Sequence, residues 1–169
     1  MKNMTRYLLL LIALAVGLSA KEIKNARFGF KVVFPDEPGW STVAHKSQSV
    51  ESQSWTAESE AARLVLIFTA LATPESEAKS TFQERAATWE KGMMTHFTRK
   101  ISGRFARLAG HDAYELVAAI EDEQMKVYYS IWMMPVGKFT FGVTIMADNQ
   151  AKLGGEAAGA FLDSIEITE

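Results

Sequence analysis

Histidine beside aspartate is a pairing that can move protons, and the chain carries it once, in the stretch LAGHDAYELVAAIEDEQ from Leu108 to Gln124. Read as chemistry, His111 and Asp112 would be a base and its orienting carboxylate, with Tyr114 and Glu115 nearby as further proton carriers. Glu121-Asp122-Glu123 would supply oxygen ligands. The spacing argues otherwise. Neighbours on a strand leave opposite faces, so His111 and Asp112 cannot easily share a proton. Three successive carboxylates have neither the glycine nor the alternating ligands of a calcium loop, and they read as a solvated turn. His45, His96 and His111 lie far apart at no zinc spacing. With no cysteine there is no thiol nucleophile, and no serine sits in a G-x-S-x-G elbow. The expectation is a protein with no catalytic residue, no metal site and no cofactor. A small hydrolase assembled from distant histidines and carboxylates is the enzymatic alternative.

Glu115 stands apart because it interrupts the apolar face formed by Ala113 and Val117. At a sheet end it would be wet, and this is the expected arrangement; buried, it would need Arg104 or Arg107 as partner.

The elements that must hold these residues follow from hydrophobic periodicity. Phe28 to Phe34 alternates and stops at Pro35, a strand running into a turn at Asp36, Pro38 and Gly39. Ser41 to Glu60 has few large apolar residues and suits a solvated hairpin or edge strand. Ala61 to Ala72 carries Leu64, Leu66 and Phe68 on one face and Val65 and Ile67 on the other, as a strand covered on both sides would. Thr73-Pro74 offers a helix start, and Ala78, Phe82, Ala86, Trp89 and Met93 recur at helical spacing to about Gly92. Three strands follow, over Lys100 to Leu108, His111 to Ile120 and Met125 to Met134; Pro135 to Lys138 then turns into a fourth at Phe139 to Met146. Gly154-Gly155 breaks the tail before a short helix carrying Ala157, Ala158, Phe161 and Leu162, and Ile165 and Ile167 suit a last short strand. These pieces predict an α+β layered sandwich, a mostly antiparallel central sheet covered by helices.

The chain opens with Lys2 and Arg6, an apolar run from Leu8 to Val16, and the small-residue exit Gly17-Leu18-Ser19-Ala20. That order reads as a secretory signal peptide over residues 1 to 20, followed by a single domain over 21 to 169. An inner-membrane anchor over residues 7 to 20 is the alternative, although the run falls short of the roughly 17 to 25 apolar residues that span a bilayer. Removing Lys2 and Arg6 with the signal takes the formal net charge from −2 to −4. Such a chain has no long-range attraction for nucleic acid. Its densest basic run, Arg99, Lys100, Arg104 and Arg107, lies along one strand.

Several segments in this order resemble the PsbP-like superfamily, and in type the DcrB-like bacterial envelope proteins. They are Phe28 to Pro35 followed by Trp40, the helix with Phe82 and Trp89, Ala109 to Leu116, and Phe161 to Ile165. The resemblance implies an antiparallel sheet between helices and a non-enzymatic accessory or scaffold role, with no shared catalytic residue. The function expected is an exported accessory or protein-binding domain of the bacterial envelope, periplasmic and without an integral membrane segment after signal cleavage. Its partner is expected to be an envelope protein. Trp40, Tyr128, Trp132 and Met134 are the candidate contact patch, because Trp and Met favour adaptable contact surfaces. A carrier of a small apolar ligand, held between sheet and helix, is the third possibility.

Overall fold

Phe30, on the second strand of the chain, sits at the centre of the core. The computed structural model describes residues 20–36, 38–46, 52–75, 77 and 79–168. The export signal and its membrane-anchor alternative therefore lie, apart from Ala20, outside the described residues.

The first hairpin joins β1 (Ala20–Asn25) to β2 (Phe30–Pro35), paired antiparallel from Ala20 with Pro35 to Asn25 with Phe30. β1 was not foreseen, since Ile23 is its one large apolar side chain and strand signals rest on apolar alternation. Its turn is closed by Asn25, whose side chain accepts from the N–H groups of Arg27 and Phe28, and by Gly29 at φ 69°. The last strand, β10 (Glu166–Ile167), pairs on the other side of β2 and completes a three-stranded sheet of order β1-β2-β10.

The larger sheet contains β3 (Ser41–Lys46), β4 (Ser52–Ser59), β5 (Leu64–Ala72), β6 (Arg99–Leu108), β7 (His111–Glu121), β8 (Lys126–Val136) and β9 (Phe139–Ala147). Its order is β3-β4-β5-β9-β8-β7-β6, with every pairing antiparallel among the described residues. β3 is an edge strand with Val43 exposed, as the poor apolar content of that region requires. β4 departs from the solvated expectation: Trp55, Ala57 and Ser59 are buried, because the small sheet covers that face. β8 runs through Pro135 to Val136, so its turn contains only Gly137 and Lys138 rather than the four residues expected.

The two sheets pack face to face around aromatic rings. Phe30 meets Phe68 at 4.7 Å and Trp55 at 5.0 Å between centroids, and Phe34 meets Phe161 at 4.9 Å. Each large apolar side chain buried here contributes roughly 1.5–3 kcal/mol. The same side is closed by a 3-10 turn (Gln150–Gly154) and by α2 (Glu156–Asp163), which buries Ala158 and Phe161. Ser164, just past α2, accepts from the Val33 N–H at 3.0 Å and so satisfies β2 where β10 no longer pairs with it.

The other face carries α1 (Phe82–Met93), followed by a 3-10 turn (Met94–His96). Its stripe of Phe82, Ala86, Trp89 and Met93 packs on Tyr114, Leu116, Ala118 and Met133 of β7 and β8. The helix begins eight residues later than Thr73-Pro74 suggested. Thr81 and Glu84 form a reciprocal capping box there, while the N–H groups of Glu77 and Ser80 donate to the carbonyls of Pro74 and Glu77 in turns; Ser76 and Ala78 are outside the described residues. A helix 10–12 Å wide covers only part of a seven-stranded sheet, which is about 29 Å across at 4.8 Å per strand. Val65 and Ile67 of β5, expected to be covered, are accordingly half-buried.

Candidate partner-binding groove

The residues that invited a chemical reading are mostly tied into the scaffold. On β7, His111 is half-buried and Asp112 exposed, and alternation sends them to opposite faces. His45 belongs to β3, five strands from β7, so roughly 24 Å separates it from His111. His96 lies beyond α1, and no group of three metal-ligating side chains occurs among the described residues. The acidic stretch caps its own turn: Asp122 accepts from the N–H groups of Gln124 and Met125 at 2.8 and 2.7 Å.

Glu115 is not wet. Only 8% of it is exposed. One carboxylate oxygen accepts from Arg104 Nε at 2.6 Å and the other from the Ser130 hydroxyl at 2.9 Å. The same hydroxyl accepts from Trp132 Nε1 at 3.0 Å. The register explains the assembly, since Glu115 stands opposite both Arg104 on β6 and Trp132 on β8. Burial is tolerated because both carboxylate oxygens are satisfied, one by a cation whose head still reaches water.

The other basic residues of β6 are paired too. Arg99 binds Glu121 at 2.9 Å, Arg107 stands 4.0 Å from Asp112, and Lys100 binds Glu90 of α1. Glu90 also accepts from the Tyr114 hydroxyl, so one carboxylate ties α1 to both β6 and β7. Bonding to Lys100, and then to Tyr114, holds the Glu90 carboxyl below its usual range. Burial first, and Glu90 second, pushes the Tyr114 phenol up to about 12. Tyr114 thus stays a hydrogen-bond donor and Glu90 an anion near neutrality. Gly103 is the space this cluster needs, because a Cβ there would strike the Tyr114 hydroxyl.

The aromatic patch anticipated from sequence does not assemble on the surface. Trp132 and Met134 are core residues, 7% and 0% exposed, because β8 is covered on both faces. Trp40 and Tyr128 are half-buried against the same core on separate strands or turns. The residues expected to line an apolar cavity between sheet and α1 are divided: Trp89 packs edge-on to Tyr114 at 6.2 Å under α1, whereas Tyr128 and Trp132 pack in the core shared with the small sheet.

A different surface combines apolar lining with exposed charge. Where the β1–β2 turn, the β8–β9 turn and β10 converge, a half-open groove of about 470 Å³ is lined by Arg27, Phe28, Val136, Lys138, Phe139 and Ile167, among others. Phe139 and Ile167 are half-buried; behind them Phe28 and Phe141 are buried and close the floor. Phe28 and Phe139 meet edge to face at 5.0 Å. Arg27 lies over the Phe28 ring at 5.5 Å and Lys138 over the Phe139 ring at 5.3 Å. Both cations are exposed, and neither has a carboxylate partner among the described residues. Gly29 fixes the wall by packing on Thr168, which donates its N–H to the Gly29 carbonyl at 2.7 Å. Sequence reading passed over these residues; the available signal was a cation directly before phenylalanine at each of two turns.

No protein-family profile and no curated protein matches the chain. Solved structures do. The chain superposes on cyanobacterial PsbP of Synechocystis sp. PCC 6803 with a TM-score of 0.61 at 12% identity, over 91% of this chain and 96% of that one. LpqN, involved in cell envelope biogenesis of Mycobacterium tuberculosis, gives 0.53 at 13% identity, over 89% and 91%. A protein of Bacteroides thetaiotaomicron gives 0.59 at 11% identity over 88% of this chain; the chain spans about half of that protein, 48%. At such identities the likeness is one of fold.

Proposed function

We propose that the chain is a non-enzymatic accessory domain of the bacterial cell envelope, exported by a signal over residues 1 to 20, that binds a protein partner through the groove at the β1–β2 and β8–β9 turns. The observation that carries this reading is the coincidence there of half-buried Phe139 and Ile167 with two exposed cations that lack carboxylate partners among the described residues. Elsewhere the basic side chains of β6 are engaged in holding strands and helix. The likeness to LpqN supports the envelope, and the engagement of Glu90 and Glu115 in structural hydrogen bonds supports an accessory rather than catalytic part.

Site-specific photo-cross-linking in cells tests it. A photoreactive residue at Lys138 should give a discrete envelope adduct that Phe139→Ala diminishes, and the same probe at Val43 should not. Equal adducts from both positions, or none from Lys138, would remove the groove from the case.

A further inference from the structure

We infer that the groove captures the free carboxyl end of a peptide whose last side chain is apolar. This rests on the reading of the groove as the partner-binding surface. Three features select that chemistry. The two exposed cations at the rim, Arg27 and Lys138, have no carboxylate partner among the described residues and call for an anion. The floor is apolar, so the anion must carry an apolar group beside it. That group is short, because buried Phe28 and Phe141 pack against Phe139 and close the floor behind it. A chain terminus presents a carboxylate and one side chain on the same residue, and the half-open shape lets the preceding residues continue into solvent. Terminal-carboxylate capture is a recurring mode of peptide recognition. Arg27 and Lys138 are each braced on a phenylalanine ring, which limits the freedom they lose on binding.

The full chain, isotopically labelled, is titrated by NMR with two pools of random hexapeptides ending in phenylalanine or leucine, one pool with a free carboxylate and one amidated, and separately with decanoate. The free-acid pool should shift the backbone signals of Arg27 to Gly29 and Gly137 to Phe139, with at least fivefold weaker binding for the amides. Arg27→Ala and Lys138→Ala should each weaken the free-acid response threefold or more; both side chains are exposed, so these variants fold. Equal response to acid and amide, no response to either, or a response to decanoate alone would overturn the inference. If cross-linking at Lys138 still yields its Phe139-dependent adduct in that event, the partner-binding reading stands and only the terminal-carboxylate chemistry fails.

Discussion

Tyr114, in the first half of β7, donates its hydroxyl to Glu90 of α1, and Glu90 also receives Lys100 from β6. Helix and sheet are therefore joined by a charge-assisted bond as well as by the apolar stripe of Phe82, Ala86 and Trp89. Replacing Tyr114 by Phe keeps the ring and deletes the bond, and should cost about 1 to 2 kcal/mol in urea unfolding. A loss under about 0.3 kcal/mol would mean that water replaces Tyr114 at Glu90 without penalty.

The same pair makes an alkaline signature. Tyr114 has a folded pKa of about 12 against roughly 10 for an ordinary tyrosine. Its contribution to stability is complete below pH 10 and is lost as pH rises from 10 to 12. Tyrosinate absorbance should show the Tyr114 phenol ionising near pH 12, with Tyr129 also raised by burial, and Glu90→Gln should bring the Tyr114 step down.

Ser130 serves two buried partners, accepting from Trp132 and donating to Glu115. Ser130→Ala would strand an indole N–H and a carboxylate oxygen together, for an expected loss of about 2 to 3 kcal/mol in chemical denaturation. Arg104→Ala should cost less, about 1 kcal/mol, because its exposed side of the pair admits water. The reverse order would show that the charge, rather than the hydrogen-bond chain, holds Glu115.

Gly29 combines a positive φ with a backbone neighbour: a Cβ there would collide with the Thr168 carbonyl. Gly29→Ala should destabilise by about 2 kcal/mol or more, whereas Gly137→Ala, at φ 57° with open space around it, should cost about 1 kcal/mol. Thermal unfolding of the two variants side by side decides the point.

At the start of α1, Thr81 accepts from Glu84 N–H at 3.2 Å while the Glu84 side chain accepts from Thr81 N–H at 2.8 Å. Thr81→Ala should cost about 1 kcal/mol, and Thr73→Ala should leave the helix start unaffected. Amide exchange across residues 82–85 would expose any departure.

Much of the large sheet was legible because β5, β7, β8 and β9 carry their apolar residues in a two-residue period. β1 was not, because it is held by β2 rather than by its own side chains, and backbone pairing leaves no mark in composition. Glu115 was misjudged for a related reason: its partners sit on strands 11 and 15 residues away, and register alone brings them together. Thr81-x-x-Glu84 has the spacing of a capping box, a signal that the expected start at Thr73-Pro74 did not use. The groove was invisible for another reason. A lysine or arginine acquires meaning there only from the apolar rings beside it and from the lack of a carboxylate partner among the described residues, and that is a property of the folded surface.

The β1–β2–β10 sheet also fixes how the molecule can be held. Ala20 pairs with Pro35 at one end of β2, and Ile167 pairs with Phe30 at the other, roughly 17 Å away along the strand. A tag or surface attachment placed ahead of β1 would orient the protein with its groove pointing outward, because the β1–β2 turn that borders the groove lies at the far end of the hairpin from Ala20.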